Sequence, residues 1–266
     1  TPSIFVASPA ALAFSSAEGT VPCNVTVPPT VSTLIAPLPT SCVVKSAIFV
    51  LVVIHASDTV AACAAGPDAI VVPKVDSADA VRALVAAMER HGAPERTTLW
   101  AMVETPIAML HAHEIAAASD RLSVLVMGTN DLAKELYAEH VPGRQPLLTG
   151  LGLALLAARA TGKAILDGVY NDVKNAEGFD AECRQGMEMG FDGKTLIHPN
   201  QVAPANDTWA PSDDEVEYAG RVIVAFDEAV AAGKGVVTVD GRMIENLHVD
   251  NARRVLATAV AIAALQ

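Results

Sequence analysis

Two carboxylates carry the first chemical signal in this chain. Met102-Val103-Glu104-Thr105-Pro106 and Met127-Gly128-Thr129-Asn130-Asp131-Leu132 each read as an apolar strand that ends on an acidic side chain and passes into a helix. In parallel barrels the active site lies at the C-terminal ends of the strands. Oxygen-only ligands there suit a hard cation such as Mg2+, which takes one or two carboxylates and leaves positions for water and substrate. Either acid also suits the first turn of its own helix, where the dipole favours an anion. Spacing alone does not separate the two readings.

Other groups fall near the same strand ends. Gly128, Thr129 and Asn130 open a helix, where N–H groups can hold a substrate carboxylate or a developing oxyanion, or form an ordinary turn. Lys74 closes a strand on the same rim and reads either as an anion binder or as a salt-bridged surface lysine. His198 follows a strand and precedes Pro199, which fixes the local backbone. His111 and His113 lie two apart on a helix, so they face different ways and make a poor metal pair. Asp167 and Asp172 bracket a further strand end as outer-sphere groups or loop caps.

The elements that must position these residues show a regular rhythm from residue 66 onward. Strands are predicted over 68–74, 97–104, 122–127, 164–168 and 194–197. Ser77 caps a helix whose Val81, Leu84, Val85 and Met88 fall at helical spacing before Gly92 stops it. Thr105 caps another, with Pro106 in its first turn. Further helices are predicted over 148–160 and 175–189, ended by Gly162 and Gly190. Crossovers of this length favour a parallel sheet. Three more strands in residues 1–65 would complete eight, the number that closes a (β/α)8 TIM barrel. An open doubly wound sheet is the alternative, but no GxGxxG follows any strand. Residues 1–210 are therefore assigned to the barrel and 211–266 to a C-terminal helical extension. Ser212-Asp213-Asp214-Glu215 is a capping box for a helix to about residue 232. An extended piece over 235–239, an Asp240-Gly241 turn and a last helix over 248–265 follow. With no partner strands of its own, the extension is expected to pack on the barrel or on a neighbouring subunit.

Composition narrows the classes. Apolar residues make up 52% and aromatics 4%, a core of Ala, Val, Leu and Ile that suits helices on a parallel sheet. A formal charge of −12 argues against nucleic acid or an anionic membrane as partner, since both want clustered Lys and Arg. A small anionic substrate needs only a local positive site. No run of apolar residues reads as a membrane span, residues 1–13 lack a basic leader region, and the four cysteines show no CxxC spacing, so a cytoplasmic protein is expected. Residues 1–60 are atypical, with three charged side chains (Glu18, Lys45 and Asp58) against 45 in the remaining 206.

Five segments occur in one order: Glu104-Thr105-Pro106, Met127 to Ala133, Ile165 to Asp172, Gly190 to Gln201 with its Ile197-His198-Pro199, and Val239 to Glu245. Together they resemble the citrate lyase β-subunit-like and malyl-CoA lyase branch of the HpcH/HpaI aldolase family over about residues 60–265. The resemblance implies a (β/α)8 barrel, assembled as a homotrimer or homohexamer, that makes or breaks a C–C bond between an acyl-CoA and a 2-oxo acid. It implies Glu104 and Asp131 as Mg2+ ligands and the 128–131 turn as the site of the substrate carboxylate. His198 and Pro199 fall on the side that binds the coenzyme A thioester, and Glu245 falls where relatives place an Asp acid/base that reaches an adjacent subunit. Two departures stand out. Of an early Asp-Leu-Glu-Asp-like strand end only Glu18 survives, in Ser16-Ala17-Glu18-Gly19, where it is the second acidic candidate for catalysis. Val53 stands where relatives carry an Arg that stabilises the enolate, and losing such a donor costs about 2.7–4 kcal/mol of barrier. A Mg2+-dependent CoA-ester lyase is the leading expectation. A malyl-CoA thioesterase and a catalytically impaired CoA-binding subunit are the alternatives.

Overall fold

A computed structural model describes residues 5–7, 32–34, 50–52 and 56–264. In chain order the elements are β1 (Phe5–Ala7), β2 (Ser32–Leu34), β3 (Val50–Val52), α1 (Ala56–Ala65), β4 (Ala69–Val72), α2 (Ala78–Arg90), β5 (Thr98–Val103), α3 (Pro106–Leu110), α4 (Ala112–Ala116), β6 (Leu122–Met127) and α5 (Thr129–Glu135). After a tight helical turn over Pro142–Leu147 come α6 (Leu148–Ala160), β7 (Ala164–Asp167), α7 (Ala176–Met189), β8 (Gly193–Leu196), α8 (Val202–Trp209), α9 (Asp213–Ala231), β9 (Val237–Val239), β10 (Arg242–Ile244) and α10 (Asn246–Ala263). The chain divides into two compact units, with the boundary at Thr208/Trp209 among the described residues.

In the first unit, eight strands form one sheet in the order β1-β8-β7-β6-β5-β4-β3-β2. From β3 to β8 every neighbouring pair is parallel, as the strand–helix rhythm predicts. Ala69, Val71, Trp100, Val124, Val126 and Leu166 form one buried cluster, taken from alternate positions of four neighbouring strands. Residues of the other parity, including Ile70, Leu99, Ala101, Leu125 and Ile165, are buried too. Burial on both faces is why these strands read as continuous apolar runs.

The expected closed barrel is not what forms. Among the described residues the sheet ends on β1 and β2, and each lies antiparallel to its neighbour, β1 on β8 and β2 on β3. A (β/α)8 barrel closes through eight parallel strands, each followed by a crossover helix. Two antiparallel edge strands of three residues cannot supply that closure. The architecture is an open α/β sheet with a parallel centre. Among the described residues no helix is long and apolar enough to cross a membrane. Cys63 and Cys183 are buried free thiols, and burial pushes both up, Cys183 to about 12; Cys23 and Cys42 lie outside the described residues.

The second unit corrects another expectation. The 235–239 piece does have a partner: β9 and β10 pair antiparallel across Asp240-Gly241. Both turn residues have positive φ, +48° and +77°, the combination that matches the twist of a two-residue hairpin. The hairpin shares a core with α9 and α10, built from Ala219, Val222, Phe226, Val239, Ile244, Val249 and Ala252. The Ser212–Glu215 capping box starts α9 as read from sequence.

Candidate active site

Register places the two acids. β5 and β6 pair with Val103 opposite Met127, so the next residues, Glu104 and Gly128, leave the sheet side by side. The Gly128 N–H donates to the Val103 carbonyl at 3.1 Å and ties the two strand ends together. A Cβ on Gly128 would lie 2.3 Å from both Cβ and Oε2 of Glu104. Glycine is therefore required at 128 by the close approach of the Glu104 side chain. Asp131 follows in the first turn of α5.

Lys74, just beyond β4, binds both acids. Its backbone N–H donates to Glu104 Oε1 at 2.9 Å, and its Nζ donates to Asp131 Oδ1 at 3.0 Å. To do this Lys74 takes a left-handed conformation, φ +53°, which is uncommon outside glycine. Glu104 is 3% exposed. Burial pushes its carboxyl above the ordinary value, Asp131 and Asp76 push it further, and the Lys74 amide opposes them. Two carboxylates thus meet one ammonium, which leaves the strand-end cluster short of positive charge. Among the described residues no group of three or more His, Cys, Asp or Glu gathers as a metal site. A pair of carboxylates with no nitrogen or sulfur donor still fits Mg2+, which keeps several waters and takes substrate oxygens for the rest.

The surroundings hold this pair in place. Thr105 caps α3 by accepting from the Ala108 N–H at 3.1 Å, while its hydroxyl donates to the Asp76 carboxylate. Thr129 is buried against Gly168, where a Cβ would stand 2.3 Å from its Oγ1. Asn130 and Asn171 exchange amide hydrogen bonds of 3.0 and 2.7 Å across the ends of β6 and β7.

Of the residues expected from sequence, Glu104, Asp131, Lys74 and Gly128 come together. Gly128 contributes close packing rather than a donor, because its N–H is already bonded. His198 lies past β8, three strands along the sheet from β5, and its Nδ1 accepts from the Asn200 N–H at 3.2 Å. Pro199 begins that short turn. Glu245 belongs to the second unit, before α10, where its N–H donates to His248 Nδ1 at 3.2 Å. Ser16, Glu18 and Val53 lie outside the described residues. Sequence reasoning missed Arg144 and Lys194, which converge on Asp167 at the end of β7, and Glu182, which pairs with both cations. Asp167 alone was visible, as one of two acids at a strand end.

Comparison with known proteins identifies the family. Residues 29–199 match the family described as HpcH/HpaI aldolase/citrate lyase. A (3S)-malyl-CoA thioesterase of Cereibacter sphaeroides is 54% identical over 208 residues, 78% of this chain and 70% of that protein. The citrate lyase subunit beta of Escherichia coli K12 is 36% identical over 208 residues, 76% of this chain and 69% of that protein. The crystal structure of the CitE protein from Mycobacterium tuberculosis in complex with magnesium, acetoacetate and coenzyme A is similar with a TM-score of 0.61. It is 28% identical, and the match covers 77% of this chain and 73% of that one. With the family model matched over residues 29–199 and relatives of 54% and 36% identity over more than three quarters of its length, the chain belongs to the HpcH/HpaI aldolase/citrate lyase family.

Proposed function

We propose that this chain is a Mg2+-dependent carbon–carbon lyase. It cleaves a 3-hydroxyacyl-CoA of the malyl- or citryl-CoA class into an acyl-CoA and a 2-oxo acid, or runs the reverse condensation. The observation that carries this reading is the Glu104–Asp131 pair, brought together at neighbouring parallel strand ends by Gly128 in a chain of this family. Glu104 and Asp131 would hold Mg2+, which when bound acts as a Lewis acid on the oxo-acid carbonyl.

The chain's own residues do the rest. The first-turn amides of Thr129 and Asn130 have no acceptor within their helix and face the oxo-acid carboxylate. The Lys74 ammonium gives an anionic substrate a local positive charge on a protein of net charge −12. Cleavage removes the 3-hydroxyl proton and delivers a proton to the α-carbon of the departing acyl-CoA. Glu245, reaching in from an adjacent subunit, is assigned that delivery, with one methylene more reach than the Asp of the family pattern. His198 and Pro199 are assigned to the coenzyme A side.

Incubation with malyl-CoA and Mg2+ tests the proposal. Glyoxylate and acetyl-CoA should form, EDTA should stop the reaction, and Glu104→Gln or Asp131→Asn should abolish it. No turnover of either malyl- or citryl-CoA overturns it. A second reading, thioester hydrolysis, is favoured by the 54% identity to the C. sphaeroides thioesterase against 36% to the citrate lyase subunit. Malate and free CoA without glyoxylate would decide for hydrolysis.

A further inference from the structure

At the end of β7, the strand next to β6 in the sheet, lies a group of four charges, three of them buried. Asp167 and Lys194 are fully buried and Arg144 is 4% exposed. The Asp167 carboxylate accepts from Arg144 Nη1 at 2.7 and 2.8 Å, from Lys194 Nζ at 3.0 Å and from the Gly168 N–H at 2.8 Å. Glu182 completes the set, 2.7 Å from Lys194 Nζ. The charges cancel, yet a buried ion-pair group is often no more stabilising than apolar side chains of the same volume. Its backbone is costly as well. Gly143 and Arg144 are both left-handed, φ +76° and +54°, in the turn that brings the guanidinium inward. Such conformations persist where the surroundings over-determine them.

What the group holds is α5. Asp167 Oδ1 fixes the Gly168 N–H, and the bare Cα of Gly168 receives Thr129, the first residue of α5 and two before Asp131. The Pro142–Leu147 turn that carries Arg144 also packs against α5. Gln185 locks this turn, accepting from Arg144 Nε at 2.8 Å and donating to the Gly143 carbonyl at 2.7 Å. From these contacts we infer that Asp167 is the positioning residue of the turn that presents Asp131, acting through Gly168 on the first residue of α5 and through the turn that carries Arg144 on the same helix. None of the hydrogen bonds of Asp167 reaches Asp131 itself. The inference rests on the proposed role of Asp131.

The test compares wild type with Asp167→Asn, Gly168→Ala and the double variant Gly168→Ala/Thr129→Gly. Hydrogen exchange of the peptide spanning 128–135 is read against peptides from β4 and β5, and Mn2+ binding is read by electron paramagnetic resonance as a stand-in for Mg2+. Asp167→Asn and Gly168→Ala should speed exchange at 128–135 while β4 and β5 keep their protection. They should also weaken Mn2+ binding by about 10- to 100-fold, the usual cost of losing a group that orients a metal ligand. The double variant, which removes the clash of a Cβ at 168 with Thr129, should regain most of the affinity. Unchanged exchange at 128–135 in a folded variant overturns the inference, and so does protection lost evenly across the sheet. Should Asp167→Asn not fold, the Gly168 pair decides. Wild type that binds no Mn2+ refutes the proposed function, and exchange then decides the positioning role by itself.

Discussion

Gly128→Ala is the sharpest perturbation of the site, because its consequence can be worked out atom by atom. The added Cβ would stand 2.3 Å from Glu104 Cβ, whereas unbonded carbons rest at about 3.5–4.0 Å. More than about 1 Å must therefore open between the two. Glu104 Cβ cannot yield, since it sits one residue past the paired Val103, whose carbonyl holds the Gly128 N–H. The turn must move instead, and Asp131 moves with it. Overpacking of this kind costs about 1–3 kcal/mol of stability. Misplacing a reacting group by about 1 Å costs about 100-fold in rate. The assay is kcat/KM for malyl-CoA cleavage, with thermal melting to follow folding. Gly152→Ala is the control: Gly152 lies within α6, and a Cβ there meets nothing within 4 Å. It should stabilise by about 0.5–1 kcal/mol and leave activity unchanged. A Gly128→Ala protein within about threefold of wild-type kcat/KM would show that the close approach to Glu104 does not set the site, and would refute the reasoning.

Three further outcomes follow from the same geometry. Lys194→Met leaves Asp167 and Glu182 facing Arg144 alone and should destabilise the chain by about 3–5 kcal/mol in urea unfolding. Adding Glu182→Gln restores neutrality and should recover part of that loss. The Glu104 carboxyl is raised above its unfolded value, so its stabilising effect is complete below the ordinary Glu range and is lost as pH rises through the raised value. With EDTA present, stability should fall across that window, and Glu104→Gln should remove the fall. Lys74→Gly frees a left-handed position and should not lower the melting temperature, while loss of the ammonium should raise KM for malyl-CoA; an unchanged KM would remove Lys74 from substrate binding.

What could be read from the sequence and what could not divide along one physical line. Glu104, Asp131 and Lys74 were legible because each closes an apolar run or follows one within a single turn. Parallel strands send all their C-terminal ends to one rim, so a local pattern sufficed to bring the three together. Lys194 was not legible as a buried cation: a lysine is almost never fully buried unless paired, and its partner Asp167 is 27 residues away in the chain. Arg144 sits in Pro142-Gly143-Arg144-Gln145-Pro146, which reads as a surface turn until Asp167, 23 residues on, draws the guanidinium inward. The barrel failed for a related reason. Five strand–helix units can be counted from periodicity, but whether a sheet closes depends on the direction of its edge strands. β1 and β2 have three residues each, too few for a period to show. Their antiparallel pairing is set by non-local contacts with β8 and β3. Residues that would meet substrate are therefore readable from local pattern, because the fold exposes them at predictable places. Residues that would hold those groups in position are defined by partners that local pattern does not reach, and a buried ion pair at a strand end becomes visible only once the sheet is assembled.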